Sequence, residues 1–187
     1  MLQQTYLICR MAIITKTFKT PVGEIIAGAT DGGLCLLDFG WRKMIPAIKR
    51  RITEGLKDEF EEGDHELINQ ARHELEEYFA GKRQAFTVPL HTIGSDFQQS
   101  VWDSLKQIPY GRTVTYQHQA RVYGDEKAIR AVATANGMNC IAIMIPCHRV
   151  VGADGSLTGY AGGLTAKRWL LDHERKWAGL ELQTALF

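Results

Sequence analysis

The sequence predicts an α+β fold: a small N-terminal three-stranded antiparallel sheet with helices, then a mostly helical C-terminal domain with a winged-helix-like helix-turn-helix. Three observations predict it. Short β-rich runs alternate with turn signals early in the chain. One long amphipathic stripe covers residues 64–80. Two short helical segments with a single glycine between them lie in the second half.

Ala12–Thr20, Glu24–Ala29 and Leu34–Phe39 are rich in β-branched and other apolar residues. Pro21-Val22-Gly23 and Asp31-Gly32-Gly33 supply the turns of a meander between them. Ile45–Leu56 is amphipathic, with Pro46 acceptable only in a first turn. Glu62–Asp64 reads as an acidic break. The next helix, Asp64–Ala80, takes Asp64 as cap, places Leu67, Ile68, Ala71, Leu75, Tyr78 and Phe79 on one stripe, and stops at Gly81. Arg83–Gly94 has no period and contains Pro89. It reads as a linker between an N-terminal scaffold domain, 1–94, and a C-terminal domain, 95–187.

In the second half, Ser95 or Asp96 caps a helix carrying Phe97, Val101, Leu105 and Ile108. Thr115 opens a short helix that Gly124 ends, and Asp125 or Glu126 caps another running to about Asn136. This is the layout of a helix-turn-helix. The second helix, Lys127-Ala-Ile-Arg130-Ala-Val-Ala-Thr-Ala-Asn136, offers small side chains around one arginine. Either it is a buried Ala-rich helix, or it lies close to a narrow groove and reads shape more than bases. Gly152–Gly163 is a glycine-rich loop, and Thr165 then caps a helix through Trp177.

The totals exclude several classes. Net charge is +1, so charge alone does not call for a polyanionic partner. Cys9, Cys35, Cys140 and Cys147 form no CxxC pair, and neither a metal nor a cofactor is expected. No run approaches the roughly 20 apolar residues of a membrane span. No secretory signal is recognisable. A reducing, cytoplasmic location with free thiols is expected. Met11 is a candidate start.

One stretch stands apart: Ile141-Ala-Ile-Met-Ile-Pro146-Cys147-His148-Arg149-Val150-Val151. An apolar run ends at a proline and delivers a thiol beside an imidazole. Cys147 is either core filling or a nucleophile whose thiolate a neighbouring histidine helps to form. Adjacent side chains on extended backbone point apart, so a bridging water is the expected proton route. Glu174 on the following helix is a candidate to fix the imidazole. The glycines of the loop fit a backbone that must approach a ligand.

Pro146-Cys147-His148-Arg149-Val150, with Tyr116, Arg130, Asn139, Gly159-Tyr160-Ala-Gly-Gly163 and Lys167-Arg-Trp-Leu-Leu-Asp-His-Glu174, resembles the O6-alkylguanine-DNA alkyltransferases. The match runs from about Phe97 to Glu174, and more loosely around Thr20–Gly23. The resemblance implies a single-use reagent that moves an alkyl group from O6 of guanine in double-stranded DNA to Cys147. His148 would accept the proton through water and Glu174 would orient it. Asn139 would brace the turn. Tyr116 would act on the departing guanine and the DNA backbone. Arg130 would fill the place of the flipped nucleotide, with Gln117, Ala128 and Ala131 also on DNA. Tyr160, Val150, Gly162 and Gly163 would form the base pocket, and Lys167 would orient its loop or helix. O4-alkylthymine is a further candidate substrate, and a monomer is expected. A Cys-His hydrolase and a non-catalytic DNA-binding, damage-sensing protein are the alternatives. The chain departs from the family at Cys140, where proline is common, and at Ala161, where some members carry a hydroxyl. Ala142 replaces a bulkier residue, which would weaken reaction with free O6-benzylguanine.

Overall fold

The computed structural model describes residues 12–179. Cys9 and the candidate start at Met11 lie outside the described residues. The meander forms as expected: β1 (Ile13–Thr20), β2 (Gly23–Thr30) and β3 (Gly33–Phe39) pair antiparallel in sequence order. Gly23, at φ +115°, makes the first turn and lies against the Trp41 ring. Next comes α1 (Ile45–Leu56), with its proline in the first turn. A fourth strand, β4 (Phe60–Glu62), joins the free edge of β1 in parallel, giving the order β3-β2-β1-β4. Its last residue, Glu62, belongs to the stretch read above as an acidic break, and Phe60 and Glu61 precede it. Parallel pairing with β1 recruits them without any local turn signal.

The helix α2 (Glu66–Phe79) is capped by His65, whose Nδ1 accepts from Leu67 N at 3.2 Å. Asp64 is not the cap; it pairs with Lys16 on β1. The segment 83–94 is not slack. Buried Glu74 of α2 accepts the backbone N–H of Thr87 at 2.8 Å, and Leu34 of β3 donates to Pro89 O at 2.8 Å.

Ser95 and Gln98 cap α3 (Asp96–Lys106) reciprocally, each side chain taking the other's backbone N–H. After β5 (Val114–Thr115), Thr115 caps α4 (Tyr116–Tyr123), and Gly124 ends it at φ +103°. Asp125 caps a single tight turn that leads into α5 (Ile129–Gly137). Gln119 and Asn136 exchange amide hydrogen bonds between α4 and α5, at 2.7 and 3.2 Å. Trp102 of α3 donates to Ala135 O at 2.8 Å. β6 (Val150–Val151) runs parallel to β5, and α6 (Gly163–Trp177) closes the described chain. Thr165 lies inside α6, because Gly163 at φ +83° already starts it.

The main core is continuous across both halves. Leu34, Leu36, Phe39 and Tyr78 share it with Trp102, Leu105, Ile141–Ile145, Cys147 and Leu170. A bridge between Leu37 and Ile141, with Leu37 N to Cys140 O at 2.7 Å and Ala142 N to Leu37 O at 2.6 Å, ties β3 to the run before Cys147.

Candidate active site

Residues 139–151 build the site. The apolar run is buried but is not a strand: it turns on itself, with Ile143 at φ +72°. A β-branched residue there is strained by about 1–3 kcal/mol, a cost borne only where packing fixes the chain. Asn139 holds the turn. Its Oδ1 accepts from Ile141 N at 2.9 Å, and its Nδ2 donates to Ile145 O at 2.9 Å and towards Cys147 Sγ at 3.4 Å. Cys147–Arg149 form one tight helical turn, not extended backbone. That corrects the extended geometry expected for Cys147 and His148.

His148 is fully buried, and its Nε2 lies 2.7 Å from Glu174 Oε1 on α6. Burial opposes the Glu174 charge, yet His148 and Arg149 hold its carboxyl far below the usual 4.5. A carboxylate can only accept, so Nε2 carries the proton and Nδ1 is the basic nitrogen. Nδ1 has no hydrogen-bond partner among the described residues. Burial keeps the imidazole below the usual 6.5 in spite of Glu174. Glu174 also accepts from Arg149 Nε at 2.9 Å and Nη2 at 3.0 Å, from Gly111 N at 3.0 Å and from Tyr78 Oη at 2.9 Å. Arg149 and Tyr78 were missed as site residues. The first adjoins His148 in sequence; the second, from α2, shows only as a core position on the helical stripe.

Cys147 is 8 % exposed and lies in a cleft of about 820 Å3. Burial raises the thiol above its usual 9.0, against the Asn139 N–H, Lys167 and Arg42. Both directions favour the uncharged forms of the thiol and the imidazole at neutral pH. Tyr116, Gln117 and Arg130 line the cleft from α4 and α5, and Thr158, Tyr160 and Ala161 from the loop. The Tyr160 ring meets Phe39 edge-on at 5.6 Å. The second helix is not wholly buried: α5 turns Val132, Ala135 and Asn136 inward and leaves Arg130 and Ala131 exposed, with Ala128 half-buried at its start.

Three residues expected to form the base pocket, and Lys167 expected to orient its loop or helix, stand outside the cleft lining. Val150 is buried in β6. Gly162 is packed so tightly on Phe39 that an added Cβ would lie 2.5 Å from the ring. Gly163 serves backbone conformation at the start of α6. Lys167 is buried beneath the loop, donating to Val150 O at 2.6 Å and Thr158 O at 2.9 Å, and burial draws its pKa down to about 8 against the pull of Cys147. Ala142, too, sits in the core beside Leu37. It is 1 % exposed and is not among the residues that line the cleft.

Two family models match, described as the 6-O-methylguanine DNA methyltransferase ribonuclease-like domain over residues 13–92 and the DNA binding domain over residues 96–176. A methylated-DNA–protein-cysteine methyltransferase of Methanosarcina acetivorans is 43 % identical over 157 residues, covering 84 % of this chain and 95 % of the relative. The constitutive enzyme of Bacillus subtilis is 37 % identical over 166 residues, covering 85 % and 93 %. A crystal structure of Mycobacterium tuberculosis OGT in complex with DNA superposes with a TM-score of 0.78 at 38 % identity, covering 88 % of this chain and 94 % of that one. Motif, fold and overall similarity agree: the chain belongs to the methylated-DNA–protein-cysteine methyltransferase family.

Proposed function

We propose that the protein repairs DNA by moving an alkyl group, chiefly methyl, from O6 of guanine in duplex DNA onto Cys147. The observation that carries this is a cysteine at a cleft beside the exposed face of α5, backed by a buried imidazole–carboxylate pair. Sulfur attacks the alkyl carbon as the C–O bond breaks, and a C–S bond forms. The thiol proton passes to His148 Nδ1 through a bridging water; guanine leaves with the bonding electrons and takes a proton from Tyr116, whose phenol is then reprotonated from solvent as the imidazolium releases its proton. The imidazolium is stabilised by Glu174. A thioether has no leaving group for water, so each molecule acts once. The target atom lies inside a duplex, so the base must be extruded at a cost of a few kcal/mol, less for a poorly paired alkylguanine. Arg130 takes the vacated place. O4-alkylthymine is a further candidate substrate, the acting form is a monomer, and the compartment is the cytoplasm. Among the described residues no helix is long and apolar enough to cross a membrane.

Intact mass after incubation with O6-methylguanine duplex tests the proposal. One methyl on the Cys147 peptide, stopping at one equivalent, is expected. Continued turnover would indicate a hydrolase. Unchanged mass with retained DNA binding would indicate a damage sensor.

The pH profile follows from the two neutral partners. The single-turnover rate is expected to stay level down to about pH 6.5 and to fall only below it, because the imidazole titrates below its ordinary 6.5. A rate that climbs steadily towards pH 9.0, the ordinary thiol value, would mean that the thiol ionises without His148.

A further inference from the structure

We infer that the loop following β3, residues 40–44, is a second DNA-contacting element, with Lys43 placed on a backbone phosphate at the rim of the cleft. This rests on the DNA reading above. Arg42, Lys43 and Met44 line the same cleft as Ile129, Arg130, Ala133 and Gly137 of α5. The N-terminal half therefore supplies a wall of the site, beyond its place in the core.

The loop is pinned there. The Arg42 guanidinium donates to buried Asp38 and to the carbonyls of Gly137 and Asn139, the last at 2.9 Å. Arg51 of α1 donates to Met138 O at 2.9 Å. Carbonyls at a helix C-terminus carry partial negative charge and would repel a phosphate. Here two arginines from the N-terminal half cover them.

Arg42 is spent on that work, since Asp38 matches its charge. Lys43 is different. It is exposed, and among the described residues no carboxylate pairs with it. The cleft lining holds the cations Arg42, Lys43 and Arg130 and no carboxylate. Met44 and Ile129, 39 % and 36 % exposed, add apolar edges to the same rim. A cation and an apolar edge on each side of a thiol suit one polyanionic strand whose nucleotide turns inward, with its flanking phosphates left at the rims.

The test is affinity for an undamaged duplex as a function of salt, where no transfer intervenes. Replacing Lys43→Gln should make the slope of log affinity against log salt shallower by about 0.9, the value for one phosphate contact on B-DNA. Lys43→Glu should bind more weakly still. Lys82→Gln, exposed beyond α2 and outside the cleft lining, should match the wild type. An unchanged slope in Lys43→Gln, with a wild type that binds, overturns this inference alone. A wild type that does not bind the duplex overturns it together with the DNA reading. Because the probe carries no alkyl group, failure of alkyl transfer leaves the measurement standing.

Discussion

Replacing Glu174 with alanine should cost about 3–5 kcal/mol of stability, the usual loss when one partner of a buried ion pair is removed. The carboxylate is fully buried and accepts from Arg149 twice, from Gly111 N, from Tyr78 Oη and from His148. Without it Arg149, 6 % exposed, keeps only the Ile108 carbonyl at 2.6 Å and the face of Tyr110 for its guanidinium. Urea unfolding at neutral pH measures the loss. The pH dependence gives a second reading. The native pKa of Glu174 is held below the unfolded value of 4.5, so its contribution is complete above that pH and fades as pH falls beneath it. The gap between wild type and variant should close in acid. A loss under about 1 kcal/mol would mean that burial cancels the pairing. Alkyl transfer should fail as well, because nothing then fixes the proton on His148 Nε2.

Arg130→Ala should slow transfer from duplex DNA by about 10- to 100-fold, with a much smaller loss on a single strand. Extrusion costs a few kcal/mol in a duplex, and a tenfold rate change corresponds to about 1.4 kcal/mol. Arg130 stands exposed on α5 at the edge of the cleft that holds Cys147. In the proposed role, its work would be confined to substrates whose base must leave a stack. Single-turnover rates on matched single- and double-stranded oligonucleotides separate the two. Equal losses on both would assign Arg130 to general phosphate binding. Val132, on the opposite face of α5, is fully buried and would act through folding instead.

How much of this was legible in the sequence depends on distance along the chain. Signals carried within a few residues were readable. Ser95 and Gln98 cap α3, Thr115 caps α4 and Gly124 closes it in the left-handed region. Each rests on one side chain and the backbone next to it. The Pro-Cys-His-Arg motif likewise placed the thiol beside the imidazole in sequence, but the tight turn they adopt and the part Arg149 plays in it were not readable there. Where two local candidates competed, the choice was set elsewhere. Asp64 is a good cap by type, but Lys16 draws it away and His65 takes its place. β4 is three residues long and exists because β1 has a free edge. Ile143 with positive φ has no sequence signature, since glycine or asparagine would be expected. The Arg42 clamp on the Gly137 and Asn139 carbonyls and the Tyr78–Glu174 bond join residues far apart in sequence, and no periodicity encodes them. The glycines were read as ligand contacts, but Gly162 answers to an aromatic ring from β3 and Gly163 to helix geometry. The fold class was thus visible locally, while the back wall of the site was not.

Tyr78 lies in the N-terminal half, and the carboxylate it serves lies in the C-terminal one. A fragment cut free after Gly94 would keep the reacting sulfur and its imidazole. It would lack the phenol, and the carbonyls of Gly137, Met138 and Asn139 would lose their arginine donors. Such a fragment should be a poor stand-in for the intact molecule, and melting should show a single cooperative step. Swapping halves between relatives would succeed only where these long-range donors and acceptors travel together.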